Sequence, residues 1–274
     1  MKGTIHLHPD IKDLFAGEQC VADFFAIEGK VAKERHGRRT LRFERGGCGF
    51  FIKCHNPVGW SEMFKNLRRG RCPTIGTGPE WRGIKRLHEI GVPTMRAVGY
   101  GYEGRCAATQ RSFLITEELP GIESFEKIAD GEAGPTLDTD LKRRLIREMA
   151  KIASCMHRNG VNHRDLYICH FVLQTDSAAA ARPEVYVIDL HRVQCRAKTP
   201  MRWIIKDLAA IYFSSMDLPP TQRDLLRFIK YYTNRPLRRT LEADYAFWGK
   251  VNRRAEASYR KEWKREPPPL NHRS

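Results

Sequence analysis

Apolar residues follow two different patterns along this 274-residue chain, and the change from one to the other limits the folds open to it. The first 119 residues hold short runs cut by glycine. KVAKER, TLRFE and GFFIK alternate in part between apolar and polar residues and are separated by His36-Gly37 and Arg45-Gly46-Gly47. That spacing predicts an antiparallel meander with tight turns. Residues 20–28 form a short apolar stretch, and Glu80 to Ile90 read as a helix stopped by Gly91 and Pro93. FLITEEL, 113–119, reads as another strand, ended by Pro120-Gly121. From Asp138 onward the period lengthens to 3.6. Leu141, Leu145, Ile146, Met149, Ile152, Ala153 and Met156 line one face of a helix closed by Gly160. Residues 203–216 predict a second helix, and Thr221 with Asp224 forms a capping box before a third, Leu225 to Tyr232. A last basic helix over 241–264 leads to a Pro-rich tail, 266–274, expected to be frayed. Strands first and helices second predict an α+β chain of two lobes. The β-rich lobe spans 1–120, the helical lobe 121–265, and the joint falls near Leu119 to Ser124.

Composition narrows the function classes. With 41% hydrophobic and 10% aromatic residues the chain can build a core, which excludes a disordered protein. Its formal net charge of +16 favours anionic partners. No apolar run approaches the roughly 18 residues of a membrane span. The start, MKGTIHLHPDIKDLF, lacks the apolar region of a secretory signal, so neither an integral membrane protein nor an exported one is expected. The eight cysteines are dispersed and none forms a C-x-x-C pair, which reads as free thiols in a reducing compartment rather than disulfides or zinc ligands. Ala178 to Ala181 read as an exposed loop.

Chemistry concentrates in VNHRDLYICHFVL, 161–173, directly after the first long helix. His163-Arg164-Asp165, followed five residues later by His170, has the shape of a kinase catalytic loop. There the Asp takes the proton of the attacking hydroxyl, and the later residue holds a metal ion on the phosphates. The same tripeptide also suits a helix-to-strand turn capped by Asp. Twenty-four residues on, VYVIDLHRV puts Asp189 at the end of a buried strand, in the place of an Mg²⁺-binding Asp or of an ordinary turn residue. Lys53 ends GFFIK, where it can hold nucleotide phosphates or snorkel at an edge. Glu80 opens its helix with Ile84 and Leu87 at i+4 and i+7, so its carboxylate points along the buried face and needs a cation, for which Lys53 is the candidate. A first-turn acid complementing the helix dipole is the plainer alternative. Lys, Glu, Asp and Asp in this order favour a phosphotransferase over any one of these local readings.

NHRDLYICHF, with GFFIK, EEL and VIDLHR around it, resembles the lipopolysaccharide core heptose kinase family, protein-kinase-like enzymes of Gram-negative bacteria. GWSEMFKNL, GPEWRGIKRLHEIGVPT and RWIIKDLAAIYFS extend the likeness over roughly residues 14–260. The resemblance implies a bilobal protein-kinase-like α+β fold, with a small antiparallel-sheet N-lobe carrying one key helix and a larger helical C-lobe. It implies ATP and Mg²⁺, and transfer to a hydroxyl of the first inner-core heptose at the cytoplasmic face of the inner membrane. Carried over by position, Asp165 becomes the general base, Asp189 the main Mg²⁺ ligand, Lys53 the phosphate clamp and Glu80 its anchor. Glu117, Glu118 and Leu119 become the hinge whose backbone receives adenine, and Asp207 a structural acceptor for the catalytic loop.

Three features depart from ordinary protein kinases. The metal strand ends Asp189-Leu190-His191 without a DFG glycine, so no flipping segment is implied. His170 stands for the usual Asn and can serve either a metal or a phosphate. No G-x-G-x-x-G precedes Lys53; the turn Glu34-Arg35-His36-Gly37-Arg38-Arg39 offers arginines instead, which either hold phosphate or form a solvated hairpin. Residues 30–71 carry 12 Lys+Arg against 3 Asp+Glu, and residues 235–265 carry 10 against 4, so the charge excess is concentrated. Such a field suits the lipopolysaccharide inner core with its lipid A, and peripheral docking on the anionic cytoplasmic leaflet. The resemblance adds acyl carrier protein as a further acidic partner. Zinc-finger and RNP signatures are absent, so nucleic acid is not expected. An atypical kinase for the neighbouring keto-sugar acid or for protein, and a non-catalytic basic binding protein, remain the competing readings.

Overall fold

The computed structural model describes residues 3–35, 37–57, 59–60, 68, 76–106, 108–218 and 220–270. The chain divides into two compact units, Met1–Arg86 with Met95–Leu119, and Leu87–Thr94 with Pro120–Ser274.

The first unit opens with a strand that the apolar pattern does not announce, β1 (Thr4–Leu7), and a short helix, α1 (Val21–Phe25), inside the apolar stretch 20–28. The expected meander follows as β2 (Lys30–Arg35), β3 (Arg38–Arg45) and β4 (Cys48–His55). Arg45 pairs with Cys48 across Gly46 and Gly47, whose φ of 59° and 75° suit the hairpin turn that needs two left-handed residues. After helix α2 (Gly78–Glu89) come β5 (Ala97–Glu103) and β6 (Arg111–Glu117). The six strands form one antiparallel sheet in the order β1-β5-β6-β4-β3-β2.

Strand alternation decides what β4 does. Phe50, Ile52 and Cys54 point into a core with Phe15, Phe24, Phe43, Phe113 and Ile115, all nearly inaccessible. The Phe24 and Phe113 rings stack with centroids 4.0 Å apart. Lys53 falls on the opposite face, because successive side chains alternate. The strand expected over 113–119 runs as β6 only to Glu117, although the Glu118 N–H still donates to Gly49 O of β4 at 2.9 Å, in the register of the ladder.

The second unit contains β7 (Ile122–Ser124), α3 (Phe125–Asp130), α4 (Thr139–Arg158), β8 (Val161–Asn162), β9 (Phe171–Gln174), β10 (Val185–Val187) and β11 (Gln194–Cys195). β10-β9-β7 and β11-β8 are two small antiparallel sheets. The 3.6-period face of α4 is buried as its spacing requires, and Asp138 Oδ1 caps it by accepting from Leu141 N at 2.7 Å. The alanine-rich loop is pinned to α4: Arg144 donates to Ala178 O at 2.7 Å and also to Ala180 O, and Arg147 donates to Ala181 O.

Helices α5 (Met201–Ser215) and α6 (Gln222–Thr233) agree with expectation, including both bonds of the Thr221–Asp224 capping box. The single basic helix expected over 241–264 is two, α7 (Leu237–Ala243) and α8 (Tyr245–Trp263). The break is at Asp244, which closes α7 through its N–H to Thr240 O at 2.9 Å and stands where an acid favours the start of α8. An apolar cavity of about 500 Å³ lies among these helices, lined by Leu145, Met149, Leu208, Ile211, Phe228 and Trp248 among others. Among the described residues no helix is long and apolar enough to cross a membrane. In the tail, Glu266 accepts from Arg260 Nε at 2.9 and 2.8 Å, and residues 271–274 lie outside the described residues. Residues 61–67 of the GWSEMFKNL run, Cys72 and the side chains of Arg35 and His36 also lie outside them. The seven described cysteines are free thiols.

Gly160 joins α4 to β8 with φ 79°, and a Cβ there would sit 1.8 Å from the carbonyl oxygen of Arg196. Gly160→Ala therefore combines left-handed strain with a backbone clash. It is expected to lower the calorimetric thermal midpoint by roughly 5 °C or more. An unchanged midpoint would mean that residue 160 tolerates a side chain.

Candidate active site

The first unit supplies a buried ion pair. Lys53 Nζ on β4 lies 2.5 Å from Glu80 Oε1 in the first turn of α2. The Glu80 side chain is 1% exposed, and its second oxygen is buried with no hydrogen-bond partner among the described residues. Burying that carboxylate is costly without a cation, so the pair holds the lysine ammonium at a defined point on the outer face of the sheet.

At the end of β6 the three hinge residues differ in what they have left to offer. Glu117 N donates to Arg96 O and Glu118 N to Gly49 O, both at 2.9 Å. Their carboxylates accept from Arg96 Nη1 at 3.0 Å and from Arg42 Nε at 2.7 Å. Leu119 follows outside the strand, half-buried.

The second unit builds its part around Asp207 of α5, which is fully buried. Its Oδ2 accepts from His163 N at 2.7 Å and its Oδ1 from Arg164 N at 2.8 Å. This is the structural role expected of it. Arg164 takes a left-handed backbone, φ 78°, uncommon for a residue with a side chain. His163 Nε2 then meets Ile188 O at 2.9 Å and ties the loop to the residue before Asp189. Because a carbonyl only accepts, that nitrogen carries the proton. Burial holds the His163 imidazole below its ordinary pKa, so it is neutral.

His170 links the two aspartates. Its Nδ1 lies 2.7 Å from Asp165 O, so Nδ1 carries the proton, and Nε2 faces Asp189 Oδ2 at 3.4 Å. Two lone-pair atoms at that separation repel unless a proton or a cation lies with them. Asp189 is also left-handed, φ 61°, and its Oδ1 accepts from His191 Nδ1 at 2.8 Å. A carboxylate that stays 29% exposed beside an imidazole nitrogen fits a divalent ion that keeps further oxygen ligands of its own. Among the described residues no group of three or more metal-ligating side chains is preassembled, so such an ion would need its substrate's oxygens.

Asp165 itself is 8% exposed. Arg192 Nη1 lies 2.8 and 2.9 Å from its two oxygens, and Lys206 Nζ is 3.5 Å from Oδ1. Sequence reasoning missed both cations. Their signal is weak: Arg192 stands three residues past Asp189, and Lys206 directly precedes Asp207. Cys169, next to His170, is no nucleophile, because burial pushes its thiol up to about 11.

The model of the lipopolysaccharide kinase (Kdo/WaaP) family matches residues 22–232. The lipopolysaccharide core heptose(I) kinase WaaP of Pseudomonas aeruginosa is 45% identical over 254 residues, 92% of this chain and 95% of that protein. The protein of the same name from Escherichia coli K12 is 41% identical over 92% of this chain and 96% of its own length. A solved structure of WaaP in complex with acyl carrier protein superposes with a TM-score of 0.79 at 42% identity, covering 93% of this chain and 99% of that one.

Asp207→Ala strands two buried N–H groups, each worth about 1.5–3 kcal/mol when bonded to a charged acceptor. Denaturant titration is expected to show a loss of roughly 3–5 kcal/mol in unfolding free energy. Asp207→Asn, which keeps one acceptor oxygen, should lose about half as much. Equal stability of all three proteins would show that the loop is held by other contacts.

Proposed function

This chain belongs to the lipopolysaccharide kinase (Kdo/WaaP) family, and on that premise we propose that it transfers the γ-phosphoryl group of ATP to a hydroxyl of the first heptose of the lipopolysaccharide inner core. The observation that carries the reading is His170, whose ring reaches from the Asp165 backbone to the Asp189 carboxylate, so that a base and a metal-binding acid share one locus. It is a phosphotransferase with the two-part kinase-like architecture, an antiparallel sheet unit followed by a helical one.

Each residue has a role that its surroundings support. Asp165 accepts the proton of the sugar hydroxyl. Arg192 takes one lone pair on each of its oxygens and Lys206 approaches Oδ1, so Oδ2 keeps a lone pair for that proton. Lys53, fixed by Glu80, holds the nucleotide phosphates. Of the hinge amides, those of Glu117 and Glu118 are spent inside the first unit, so the donor to adenine falls to Leu119 N–H. Asp189 and His170, through Nε2, are the residues that would hold Mg²⁺. When bound, the ion would draw negative charge from the phosphate oxygens. Arginines 38 and 39 lie at the start of β3, where they can add charge toward phosphate.

Two partners follow. The related WaaP was solved with acyl carrier protein, and a chain of net charge +16 suits an acidic carrier. The exposed arginines of α7 and α8, Arg238 among them, also suit an anionic leaflet, which supports peripheral docking at the inner face of the membrane.

The test is transfer from radiolabelled ATP with Mg²⁺ to dephosphorylated lipopolysaccharide core. The wild type should label the glycan, and Asp165→Ala should cut turnover by about 10²–10⁴-fold while nucleotide still binds. Near-normal turnover in that variant would remove Asp165 as the base, and label on protein alone would discard the acceptor. Lys53→Ala should raise the KM for ATP and lower kcat together by about 10²-fold or more. An unchanged dependence on ATP would refute its phosphate role.

A further inference from the structure

Around Asp165 the second unit gathers more positive charge than that carboxylate can balance. Arg192 bonds both of its oxygens, and Lys206 lies 3.5 Å away while donating to the Arg164 carbonyl. Arg164 stacks with Cζ 5.0 Å from the centroid of Trp203, and Lys206 Nζ is 5.9 Å from the same ring. Arg164 Nε is buried with no hydrogen-bond partner among the described residues. Asp207, the other carboxylate within reach, has both oxygens on the loop amides.

The three cations act on one another. Burial, and then Arg192, hold the Arg164 guanidinium below its ordinary value. Burial also lowers Lys206, with Arg192 and Arg164 pushing the same way against the opposing pull of Asp165. Like charges crowded into a half-buried space cost free energy, and a second anion relieves it. Because Arg192 and Lys206 touch the base itself, such an anion would lie within a few bonds of the reacting hydroxyl. The nucleotide phosphates already have Lys53 and the metal of Asp189 in the reading above, whereas Asp165 faces the acceptor.

We propose that Arg164, Arg192 and Lys206 form an oxyanion-binding subsite that takes a carboxylate of the acceptor sugar chain, adjacent to the hydroxyl that Asp165 serves. The proposal rests on the acceptor reading given above and deepens it: the enzyme selects an acidic glycan by charge at the catalytic loop. A guanidinium fork matches a carboxylate, and the Arg164 guanidinium lies over the Trp203 ring, which confines it.

The test compares two acceptors, dephosphorylated core glycan with its carboxylates free and the same glycan methyl-esterified, on wild type, Arg192→Gln, Arg192→Lys and Arg164→Gln. The ratio of kcat/KM between the acceptors is the readout, because any effect of Arg192 on the base cancels in it. Wild type should prefer the acidic form by about tenfold or more, mainly through KM. Arg192→Gln should bring the ratio close to one with the KM for ATP unchanged, and Arg192→Lys should restore part of the preference. Should Arg192→Gln fail to fold, Arg164→Gln carries the same comparison. Equal use of both acceptors by the wild type overturns the subsite alone. A rise only in the KM for ATP in Arg192→Gln also overturns it, by assigning the cations to the γ-phosphate. A wild type that labels neither glycan overturns the acceptor reading, and the subsite with it.

Discussion

One buried carboxylate sets the geometry on which the chemistry of the second unit depends. Asp207 accepts the two consecutive backbone amides of His163 and Arg164, and directly after them the chain turns at Arg164 through the left-handed region. That conformation costs about 1–2 kcal/mol for a residue with a Cβ, and two charge-assisted hydrogen bonds offset it. The turn in the chain then determines the rest. It aims the His163 ring at Ile188 O, brings the Asp165 carbonyl to His170, and leaves the Asp165 carboxylate within reach of Arg192 and Lys206. Asp165 is thus positioned by backbone bonds to a helix outside its own loop.

The same dependence explains what could be read from the residues alone. α4 was legible because its apolar face keeps one period over five turns, and the meander because Gly46-Gly47 can serve only a tight turn. β5 was not legible: AVGYGYE places glycines at alternate positions, so its inward face carries no apolar pattern to find. β1 is four residues long and finds its partner nearly a hundred positions away. The last helix divides at Asp244, where the chain leaves helical geometry for one residue, a break that the continuous basic pattern does not signal. At the site, Lys53, Glu80, Asp165, His170 and Asp189 stood in motifs with characteristic spacing. Arg192 and Lys206 did not, since their approach to Asp165 follows from the left-handed Asp189 and from the phase of α5, neither of which has a spacing signature.

The segment after Asp189 gives the arrangement its stiffness. In kinases with a glycine two positions past the metal aspartate, that segment can move and take the aspartate with it. Here the position is His191, whose Nδ1 is bonded to Asp189 Oδ1. Leu190 is fully buried, β11 pairs with β8, Arg196 N donates to Gly160 O, and Arg196 Nη1 donates to Asn162 Oδ1. These contacts tie the segment after Asp189 to the loop of His163–Asp165 at several points. In the roles proposed for them, Asp165 and Asp189 held this way would need no reorganisation when charge develops between them. With the loop held this way, the subsite proposed at Arg164, Arg192 and Lys206 would select an incoming molecule by its charge.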